Sequence, residues 1–577
     1  MAKKFYTNER NVQIVIALLK AHGIRKVIAS PGTTNMTFVG SIQIDPYFQI
    51  YSCVDERSAA YMACGISAEC NEPVVLSCTG ATASRNYMPG LTEAFYRKLP
   101  ILAITSHRGD HQIGHLKDQQ IDRRERPKDI VIESVTIPNI KDKVDEDFCI
   151  IEANKAILAL KANGGGPVHI NMFTTYSKDF TIKDLPPVRK ICRYTVHDKL
   201  PTLQNGRIAI FCGAHANFTD KQSKAIDAFC SSNNAVVFAD HTSGYRGQYE
   251  INWALVLGQR NYPTELKNID TMIQIGEIPG STYHKFNIKQ SWRVSEDGVI
   301  RDMFGKLTAV FQMPEEVFFT YYTKTRKGNN TYYIRCKTEY DKVISKIQDL
   351  PFGNIWIAKR FSNQMPIGCE IHFGILNCLR SWSFFQLPKD VLGKCNVGGY
   401  GIDGGLSSLI GASITNPNKL FFGIFGDLAF FYDLNVLGNR HIGRNVRIMI
   451  INNGKGAEFR NYGHPCYSYG EEADTYMAAA GHFGNKSPNL IKHYAKDLGF
   501  DYYSGKTKED IINIEKTFLN AQITNKPIIL EVFTESKNES DALEYILNLF
   551  TPPLKRQIKH KIKSTYKQIL NTIKEKQ

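Results

Sequence analysis

Two short polar turns in the last third of the sequence could together hold a metal ion and a phosphate group. A Gly-Asp-Leu turn at residues 426–428 follows one apolar run, and an Asn-Asn-Gly turn at residues 452–454 follows the next. Asp427 offers a carboxylate and Asn453 an amide oxygen, and such hard oxygen ligands suit Mg²⁺ or Ca²⁺ rather than zinc. The segment between the turns has a helical pattern, so both turns should end parallel strands, where ligands of α/β proteins bind. We therefore predict a metal and phosphate site at these turns.

The backbone of the first turn is suited to contact a phosphate group. Gly426 has no Cβ, so phosphate oxygens can approach its main chain closely. A helix that opens at Ala429 would direct its free N–H groups toward the same anion. We expect a divalent ion (Mg²⁺, or Ca²⁺ or Mn²⁺) to bridge two phosphate oxygens to Asp427 and Asn453, with the main-chain carbonyl of Lys455 as a further ligand. The predicted site comprises Gly426, Asp427, Leu428, Ala429, Asn453, Lys455 and Gly456.

This pair of turns resembles the fingerprint of the thiamine-diphosphate-dependent enzymes, in which a Gly-Asp turn is followed one helix and one strand later by Asn-Asn. Ordinary turn dipeptides are the alternative, which their spacing in one strand–helix–strand frame disfavours. Within that superfamily, Leu428 and the Asp-Leu-Asn segment at 433–435 are most similar to the menaquinone-pathway branch, the 2-succinyl-5-enolpyruvyl-6-hydroxy-3-cyclohexene-1-carboxylate synthases. The resemblance implies that thiamine diphosphate and a divalent metal are the cofactors.

Glu56 resembles the carboxylate that activates the cofactor in this family. It follows a predicted strand and opens an apolar helix, in the segment VDERSAAYMACG that matches the family's Asp-Glu-Arg-Ser-Ala-Ala motif. A carboxyl group that hydrogen-bonds the pyrimidine ring helps the cofactor lose its reactive proton, and shielding from water lets that carboxyl share a proton near neutral pH. The alternative is a carboxylate that only stabilises a helix N-terminus.

Several further segments match the family in the first and last parts of the chain. The loop at 30–32 (Ser-Pro-Gly), Thr79 and Asn86 match in the first part, as does the run from Gln119 to Asp122. In the last part, a glycine-rich stretch resembles the segment that supports the cofactor between its two rings, with the bulky apolar prop at Ile402; a glycine loop without a ligand is the alternative. The resemblance assigns cofactor contacts to Thr79, Asn86, Gly399, Tyr400 and Ile402.

The chain departs from the menaquinone branch where that branch binds its anionic substrates. Thr33, Thr34 and Asn35 stand where the family has Ser-Arg-Ser, and Val397 stands where it has an arginine. Each lost guanidinium removes a bidentate partner for a carboxylate. Arg108 keeps the position of another family arginine. Isochorismate is therefore disfavoured as the acceptor.

New polar residues occur in the same regions. Three histidines, at 107, 111 and 115, are predicted to lie in the loop after the strand LPILAITS, where imidazoles could deliver a proton or bind a 2-oxo acid carboxylate. Surface histidines without a role are the alternative. The candidate catalytic residues are Glu56, His107, His111, His115, Arg108 and Gln119. The residues that could shape an acceptor pocket after the metal loop are Glu458, Arg460, Tyr462 and His464.

These features predict a 2-oxo acid decarboxylase or carboligase that transfers an acyl carbanion to an unknown acceptor or to a proton, as in surface-sugar or secondary metabolism. One alternative is the menaquinone-pathway synthase itself, acting on 2-oxoglutarate and isochorismate. Another is a catalytically silent thiamine-fold binding protein, against which the retention of Glu56, Asp427 and Asn453 argues. A flavin-containing relative is also conceivable, but the segment 213–215 (Gly-Ala-His) makes no convincing flavin site.

Three blocks of alternating strand and helix patterns must position these residues, which is typical of α/β domains with parallel sheets. We predict a pyrimidine-binding domain over 1–185, a central Rossmann-like domain over 190–345 and a diphosphate-binding domain over 350–552. Each should be a doubly wound parallel sheet. The family resemblance further implies a homodimer or homotetramer, because the pyrimidine-binding domain of one subunit faces the diphosphate-binding domain of another.

Composition is that of a globular protein of the reduced cytoplasm. The 577 residues include 43% hydrophobic ones, with neither a signal-peptide pattern nor an apolar run of membrane-spanning length. The 13 cysteines show no metal-binding spacing and mostly lie in apolar segments, so we expect small buried thiols.

The net charge of +15 is concentrated at the C-terminus. Residues 554–577 hold eight Lys/Arg and one Glu, and their apolar positions follow helical spacing. A basic amphipathic tail over 553–577 could rest on an anionic membrane, but a terminal helix that packs on the protein body is the favoured interpretation. No recognition motif accompanies the charge, so nucleic acid is not an expected partner.

Overall fold

The computed structural model describes residues 4–123, 126–324, 328–481 and 487–551, which form two compact units. The first unit holds the described residues up to Leu200 together with Asp297–Gln312. The second unit holds Pro201–Glu296 and the described residues from Met313 onward. The basic tail predicted at 553–577 lies outside the described residues. The domain boundaries inferred from the sequence stay a prediction.

The first unit contains a six-stranded parallel sheet. Its strands are β1 (Lys26–Ala29), β2 (Gln49–Ser52), β3 (Val74–Cys78), β4 (Ile101–His107), β5 (Glu133–Ile137) and β6 (Val168–Phe173). They lie in the order β2-β1-β3-β4-β6-β5. The helices of the unit are α1 (Arg10–Ala21), α2 (Met36–Ile42), α3 (Glu56–Cys70), α4 (Ala81–Asn86), α5 (Met88–Tyr96) and α6 (Lys143–Ala159). A further strand, β7 (Cys192–Thr195), follows them.

The apolar core of this unit lies on both faces of the sheet. β3 and β4 are buried along their whole length, as expected for parallel strands covered from two sides. Successive side chains point to opposite faces, so Val75 and Leu102 join one buried apolar cluster while Leu76 and Ala103 join another.

The second unit begins with another parallel sheet. Its strands are β8 (Ile208–Cys212), β9 (Val236–Ala239), β10 (Glu250–Ile251), β11 (Asn268–Ile275) and β12 (Asn287–Val294). They lie in the order β10-β9-β8-β11-β12. β13 (Leu307–Gln312) belongs to the first unit, where it pairs with β7 in parallel. The helices of this part of the second unit are α7 (Asp220–Asn233), α8 (Ala254–Leu257), α9 (Glu315–Tyr322) and α10 (Thr331–Ile344).

The remainder of the second unit forms a third parallel sheet. Its strands are β14 (Glu370–Phe373), β15 (Leu392–Lys394), β16 (Phe421–Gly426), β17 (Val446–Asn452), β18 (Asp501–Gly505) and β19 (Ile528–Phe533). They lie in the order β15-β14-β16-β17-β19-β18. The helices around it are α11 (Asn354–Phe361), α12 (Asn377–Trp382), α13 (Gly405–Thr415), α14 (Asp427–Asp433), α15 (Ala473–Tyr476), α16 (Leu490–Asp497), α17 (Lys508–Phe518) and α18 (Ser536–Ile546).

The strand order reverses once near the start of each sheet, between β1 and β3, between β8 and β11, and between β14 and β16. The predicted class, α/β with three doubly wound parallel sheets, is therefore confirmed. Ligands of such sheets bind at the carboxyl ends of the strands beside the reversal. Among the described helices none has the length and apolar character to cross a membrane.

Candidate active site

The structure brings the two predicted turns of the third sheet together. β16 and β17 are neighbours, and Gly426 at the end of β16 stands opposite Ile451. Asp427 is only 4% exposed, and its Oδ2 accepts a 2.8 Å hydrogen bond from the main-chain N–H of Gly454. Its Oδ1 accepts from the N–H of Leu428 at 2.9 Å. The carboxylate is thus fixed at the carboxyl edge of the sheet, as the sequence predicted.

The environment of Asp427 fits a bound cation. Burial raises the pKa of its carboxyl to about 7, and the nearby carboxylate of Glu531 adds to the rise, while the main-chain hydrogen bonds oppose it. A divalent ion at this carboxylate would restore the charged form. In front of it, a Cβ added to Gly426 would meet no atom within 4 Å, so there is open space against the main chain. A buried oxygen ligand beside such a space suits a metal-bound diphosphate.

The other predicted ligands lie in the same loop. Asn453 is half-buried, and its Oδ1 is 3.4 Å from the main-chain nitrogen of Lys455. The Lys455 ammonium lies 2.5 Å from Asp474, so only the main-chain carbonyl of this residue can serve as the predicted ligand. The N–H of Gly456 donates to the carbonyl of Ala478 at 2.6 Å. Among the described residues no cluster of three or more His, Cys, Asp or Glu could hold a metal, which leaves this mixed set of ligands as the candidate.

The helix after the first turn begins earlier than predicted. α14 starts at Asp427 rather than Ala429, because the extended backbone of Gly426 serves as its N-cap. The Asp427 carboxylate occupies the N–H of Leu428, whereas Ala429 still lies in the first turn, whose N–H groups have no partner within the helix.

Glu531 binds the side chain of Asn452, the first residue of the Asn-Asn pair, and was not predicted from the sequence. Its Oε1 accepts from Asn452 Nδ2 at 2.7 Å, and its Oε2 accepts from the Tyr502 hydroxyl at 2.7 Å. Burial raises the pKa of this carboxyl. The only signal was a glutamate within the apolar strand PIILEVF. Because Glu531 holds the side chain of Asn452, it also helps to fix the position of the next residue, Asn453.

The glycine-rich segment precedes α13 and is tied to α14. Asp433 accepts hydrogen bonds from the N–H (2.7 Å) and the hydroxyl (2.6 Å) of Ser407, so the Asp-Leu-Asn motif anchors the start of α13. Tyr400 has a left-handed backbone, with φ of 57°, and is 40% exposed. Such a conformation is costly for a residue other than glycine and marks functional segments in many proteins. Gly399 is exposed and Ile402 is partly buried; their cofactor contacts stay a prediction.

In the first unit the structure pairs two of the predicted residues. Glu56 is the first residue of α3, and its Oε2 accepts a 3.1 Å hydrogen bond from Asn86 Nδ2 at the end of α4. Asp55 caps the same helix by accepting from the N–H of Ser58 at 2.6 Å. Glu56 is half-buried within the single chain. Its carboxylate is therefore oriented by Asn86 while one side stays open.

The loops at the strand reversal of the first sheet are in close contact. A Cβ at Gly32, in the loop after β1, would lie 1.9 Å from Cγ2 of Thr79, in the loop after β3. Only glycine fits there. Ala81, two residues after Thr79, has a left-handed backbone with φ of 53°. The two loops that match the family thus form one packed edge, with Thr79 in its middle.

The histidine prediction needs correction. His107 is the last residue of β4 rather than a loop residue, and it is 7% exposed. Burial lowers the pKa of this imidazole to about 4, with a further contribution from Arg123, so it is neutral at pH 7 and cannot attract a carboxylate by charge. Its Nδ1 accepts from the N–H of Gly109 at 3.1 Å, and its Nε2 is buried without a partner among the described residues.

The other candidate catalytic residues lie in the segment after β4. His111, His115 and Gln119 are exposed, and no described hydrogen bond joins them to Glu56. The Arg108 guanidinium is held by the carbonyl of Asp118 and lies 3.4 Å from its carboxylate. Their catalytic roles stay a prediction.

A buried arginine beside the Thr79 loop was missed. Arg123 donates to the Thr105 hydroxyl at 2.7 Å, to the carbonyl of Ser106 at 2.9 Å and to Oδ1 of Asn171 at 2.8 Å. A Cβ at Gly80 would lie 3.4 Å from this guanidinium. Burial lowers the pKa of Arg123 to about 10. The family-matching run from Gln119 to Asp122 ends just before this residue, and its partners come from strands β4 and β6.

The two loops at the strand reversal of the second sheet, after β8 and after β11, are in close contact. A Cβ at Gly213, after β8, would lie 1.9 Å from the carbonyl oxygen of Glu277, after β11. The two loops also exchange hydrogen bonds, from Gly213 to Ile275 and from Glu277 to Ala214. The absence of a flavin site stays a prediction.

A cavity of about 240 Å³ lies next to the loop that follows Gly456. Three of the four residues predicted for an acceptor pocket line it, namely Glu458, Tyr462 and His464. The fourth, Arg460, is directed to the carbonyl of Gly470 and to Asp474 instead.

The cysteine prediction holds for most of the thiols. All 13 cysteines are free, and Cys64, Cys78 and Cys212 are buried. Cys53 is only partly buried, because it follows the exposed edge strand β2.

Sequence comparisons relate this chain to thiamine pyrophosphate enzymes. Residues 10–125 match the family described as the thiamine pyrophosphate enzyme, N-terminal TPP binding domain. The 2-succinyl-5-enolpyruvyl-6-hydroxy-3-cyclohexene-1-carboxylate synthase of Bacteroides fragilis is 29% identical over 561 residues, which cover 93% of this chain and 98% of that protein. The synthase of the same name from Bacteroides thetaiotaomicron is 27% identical over 563 residues, with the same coverage.

Among solved structures, a thiamine diphosphate-dependent 4-hydroxybenzoylformate decarboxylase of Rhodococcus jostii RHA1 aligns with a TM-score of 0.37 and 16% identity, over 91% of this chain and 99% of the other. The sequence match to the amino-terminal cofactor-binding domain and the similarity along almost the whole chain support the same assignment. Residues 10–125 thus match a thiamine-pyrophosphate-binding domain, and almost the whole chain is similar in sequence to 2-succinyl-5-enolpyruvyl-6-hydroxy-3-cyclohexene-1-carboxylate synthases.

Proposed function

We propose that this enzyme releases CO₂ from a 2-oxo acid and transfers the remaining acyl group to a carbonyl or enone acceptor, or to a proton. The observation that carries the proposal is the buried Asp427 carboxylate, fixed by Gly454 and raised in pKa, in front of open space at Gly426. A cation and a diphosphate would satisfy this arrangement together.

The residues of this chain would then have distinct tasks. Thiamine diphosphate, when bound, supplies the nucleophilic carbon and the electron sink that decarboxylation needs. Asp427, Asn453 and the carbonyl of Lys455 would hold Mg²⁺ or a similar ion, which in turn would hold the diphosphate. Glu56, oriented by Asn86, would keep a proton at the pyrimidine nitrogen.

We further propose a cytoplasmic homodimer or homotetramer in which the active site combines Glu56 of one chain with Asp427 of another. Glu56 needs shielding from water for its task, yet it is half-buried in the single chain. Apolar side chains next to it are exposed, including Val54 at 76%, Tyr61 and Met62. A second subunit that covers this surface would both bury the apolar groups and shield the carboxylate.

Subunit mixing tests this arrangement. Glu56→Gln and Asp427→Asn should each abolish turnover in a homodimer. When the two inactive variants are unfolded and refolded together, mixed dimers should recover up to half of the wild-type activity per dimer, since one of their two sites has both native residues. No recovery in dimers shown to be mixed would contradict the shared site.

The menaquinone-pathway synthase is a second candidate, favoured by the full-length similarity to synthases of that name. Against it stand the two lost arginines. Val397 is apolar and 6% exposed, and Thr34 is buried, so neither can bind a substrate carboxylate as a guanidinium would.

The direct test is a turnover assay. Purified protein with thiamine diphosphate and Mg²⁺ is given pyruvate, 2-oxoglutarate and related acids, and CO₂ release is followed. Release from at least one acid, lost in Glu56→Gln while cofactor binding persists, is the expected result. Efficient joining of 2-oxoglutarate to isochorismate would establish the second candidate instead. Absence of cofactor binding would refute both.

A further inference from the structure

The cavity beside the metal loop is lined by four charged side chains that form two ion pairs. Arg380 contacts both carboxylate oxygens of Glu458, one of them at 3.2 Å from Nη1. Arg260 Nη1 lies 2.5 Å from Oε1 of Glu544. The other polar groups of the lining include the side chain of Tyr283. The charged lining is therefore balanced, with two cations and two anions.

The Arg380–Glu458 pair is held from both sides. Arg380 Nη2 also donates to Oδ1 of Asn377 at 2.9 Å, and Asn461 Nδ2 donates to Oε2 of Glu458 at 3.1 Å. Both side chains of the pair are largely buried. A carboxylate ligand that took Arg380 would leave Glu458 as an uncompensated buried charge, which is strongly unfavourable.

The pair also lies near two segments that are assigned to the cofactor. Glu458 follows Gly456 of the metal loop by two residues, and Arg380 lies on α12, which follows β14 at the strand reversal of the third sheet. Tyr400 of the glycine-rich segment is close enough to be influenced by both: besides the larger effect of burial, Arg380 lowers and Glu458 raises its pKa. The cavity thus lies beside the metal loop, and its Arg380–Glu458 pair is near the glycine-rich segment that contains Tyr400.

We propose that this cavity receives the acceptor, and that the acceptor is a small uncharged carbonyl compound that carries hydroxyl groups. The inference rests on the proposed function and specifies its acceptor. About 240 Å³ holds roughly eight water-sized groups of ~30 Å³ each, the size of a short sugar. Hydroxyl groups can donate to Glu458 and accept from Tyr283 without breaking either ion pair.

The reaction balances with an aldehyde as acceptor. The bond between the 2-oxo carbon and its carboxylate breaks and releases CO₂, and the electron pair stays on the former carbonyl carbon. That carbon forms a bond to the acceptor's carbonyl carbon, whose oxygen takes up one proton. The product is a 2-hydroxy ketone.

A competition experiment tests the inference. The holoenzyme is given the 2-oxo acid that releases CO₂ fastest, with equal concentrations of glyceraldehyde, which is uncharged, and succinic semialdehyde, which is an anion. Mass spectrometry quantifies both adducts, and CO₂ is measured in parallel. We expect the glyceraldehyde adduct to exceed the other at least about tenfold. If CO₂ is released but the succinic semialdehyde adduct equals or exceeds the glyceraldehyde adduct, the inference about the acceptor is wrong and the proposed function stands. If no acid releases CO₂, both the inference and the proposed function are wrong.

Charge changes in the cavity give a sharper test. Glu458→Gln leaves Arg380 unpaired, so the adduct ratio should move at least about tenfold toward the anionic acceptor. Arg380→Gln should move it in the opposite direction, and this result decides the matter if the first variant does not fold. Glu515→Gln is the matched control, because it breaks a comparable ion pair with Arg360 outside the cavity. A Glu458→Gln ratio that moves no more than this control overturns the inference.

A binding measurement that needs no turnover completes the test. Succinate is an unreactive dianion, and calorimetry follows its binding to the protein without cofactor. We expect binding to Glu458→Gln that is at least about tenfold tighter than to the wild type. Equal affinity of the two proteins for succinate overturns the inference.

Discussion

Replacing Asp427 by asparagine should change how the stability of the cofactor-free protein depends on pH. Each pKa unit between the ordinary value of 3.8 and about 7 corresponds to about 1.4 kcal/mol, so keeping this buried carboxylate charged costs about 4 kcal/mol. The native pKa lies above the unfolded one. Below about pH 4 the Asp427 carboxyl is protonated and the folded protein avoids the whole cost of a buried charge. This advantage is lost as the pH rises to about 7. Asparagine cannot ionise, so the variant should not share this loss.

The assay is thermal unfolding of both proteins, without cofactor, at several pH values between 4 and 8. Asparagine keeps only one acceptor for the N–H groups of Leu428 and Gly454, which lowers the stability of the variant by a roughly constant amount. The informative quantity is therefore the difference between the two midpoints as a function of pH. It should change by several degrees in favour of the variant between pH 4 and pH 8.

Adding Mg²⁺ and thiamine diphosphate at pH 8 should reverse the order. A ligand that binds only the native state stabilises it by mass action, and the wild type alone has the metal-binding carboxylate. If the midpoint difference does not vary with pH, the conclusion that burial raises the pKa of Asp427 is wrong. Equal stabilisation of both proteins by the cofactor and metal would refute its role as a ligand.

Three further outcomes can be checked with single substitutions. Gly32→Ala should destabilise the first unit, because the new Cβ would lie 1.9 Å from Cγ2 of Thr79. Adding Thr79→Ser to the same chain removes that methyl group and should restore most of the unfolding midpoint. His107→Gln should make the free energy of unfolding less sensitive to acid. The pKa of His107 in the folded protein, about 4, lies below the ordinary 6.5, so the wild type should lose about 3 kcal/mol of stability as the pH falls from about 6.5 to 4. Urea unfolding at several pH values measures this loss. Glu531→Gln should keep the protein folded but weaken cofactor binding by about tenfold in a fluorescence titration, with Tyr502→Phe as the milder control.

The positions of Asp427, Asn453 and Glu56 in the fold could be predicted because they depend on short segments at strand ends. Asp427 and Asn453 each follow a continuous apolar strand, and the pairing of β16 with β17 places both turns at one edge. Glu56 opens a helix directly after a strand in the same manner. In each case the local sequence determines both the strand and the residue at which it ends. A short motif at that end therefore predicts where its side chains lie.

Residues whose role depends on distant neighbours could not be predicted in this way. Arg123 is buried only because Thr105 and Asn171 come from two adjacent strands, and nothing near it in the sequence indicates that. The predicted strand ends at Ser106, which puts His107 in the following loop; β4 continues through His107 because it pairs with β6 as far as Phe173.

The same distinction explains why the cofactor is better determined than the acceptor. The proposed acceptor cavity is lined by Arg260, Arg380, Glu458 and Glu544, which lie far apart along the chain and meet only after folding. Thr34 and Val397 stand where the resemblance to the menaquinone branch predicts arginines, while the Asp427 turn is intact. In the proposed acceptor cavity, the ion pair between Arg380 and Glu458 would determine whether anions or uncharged molecules bind better.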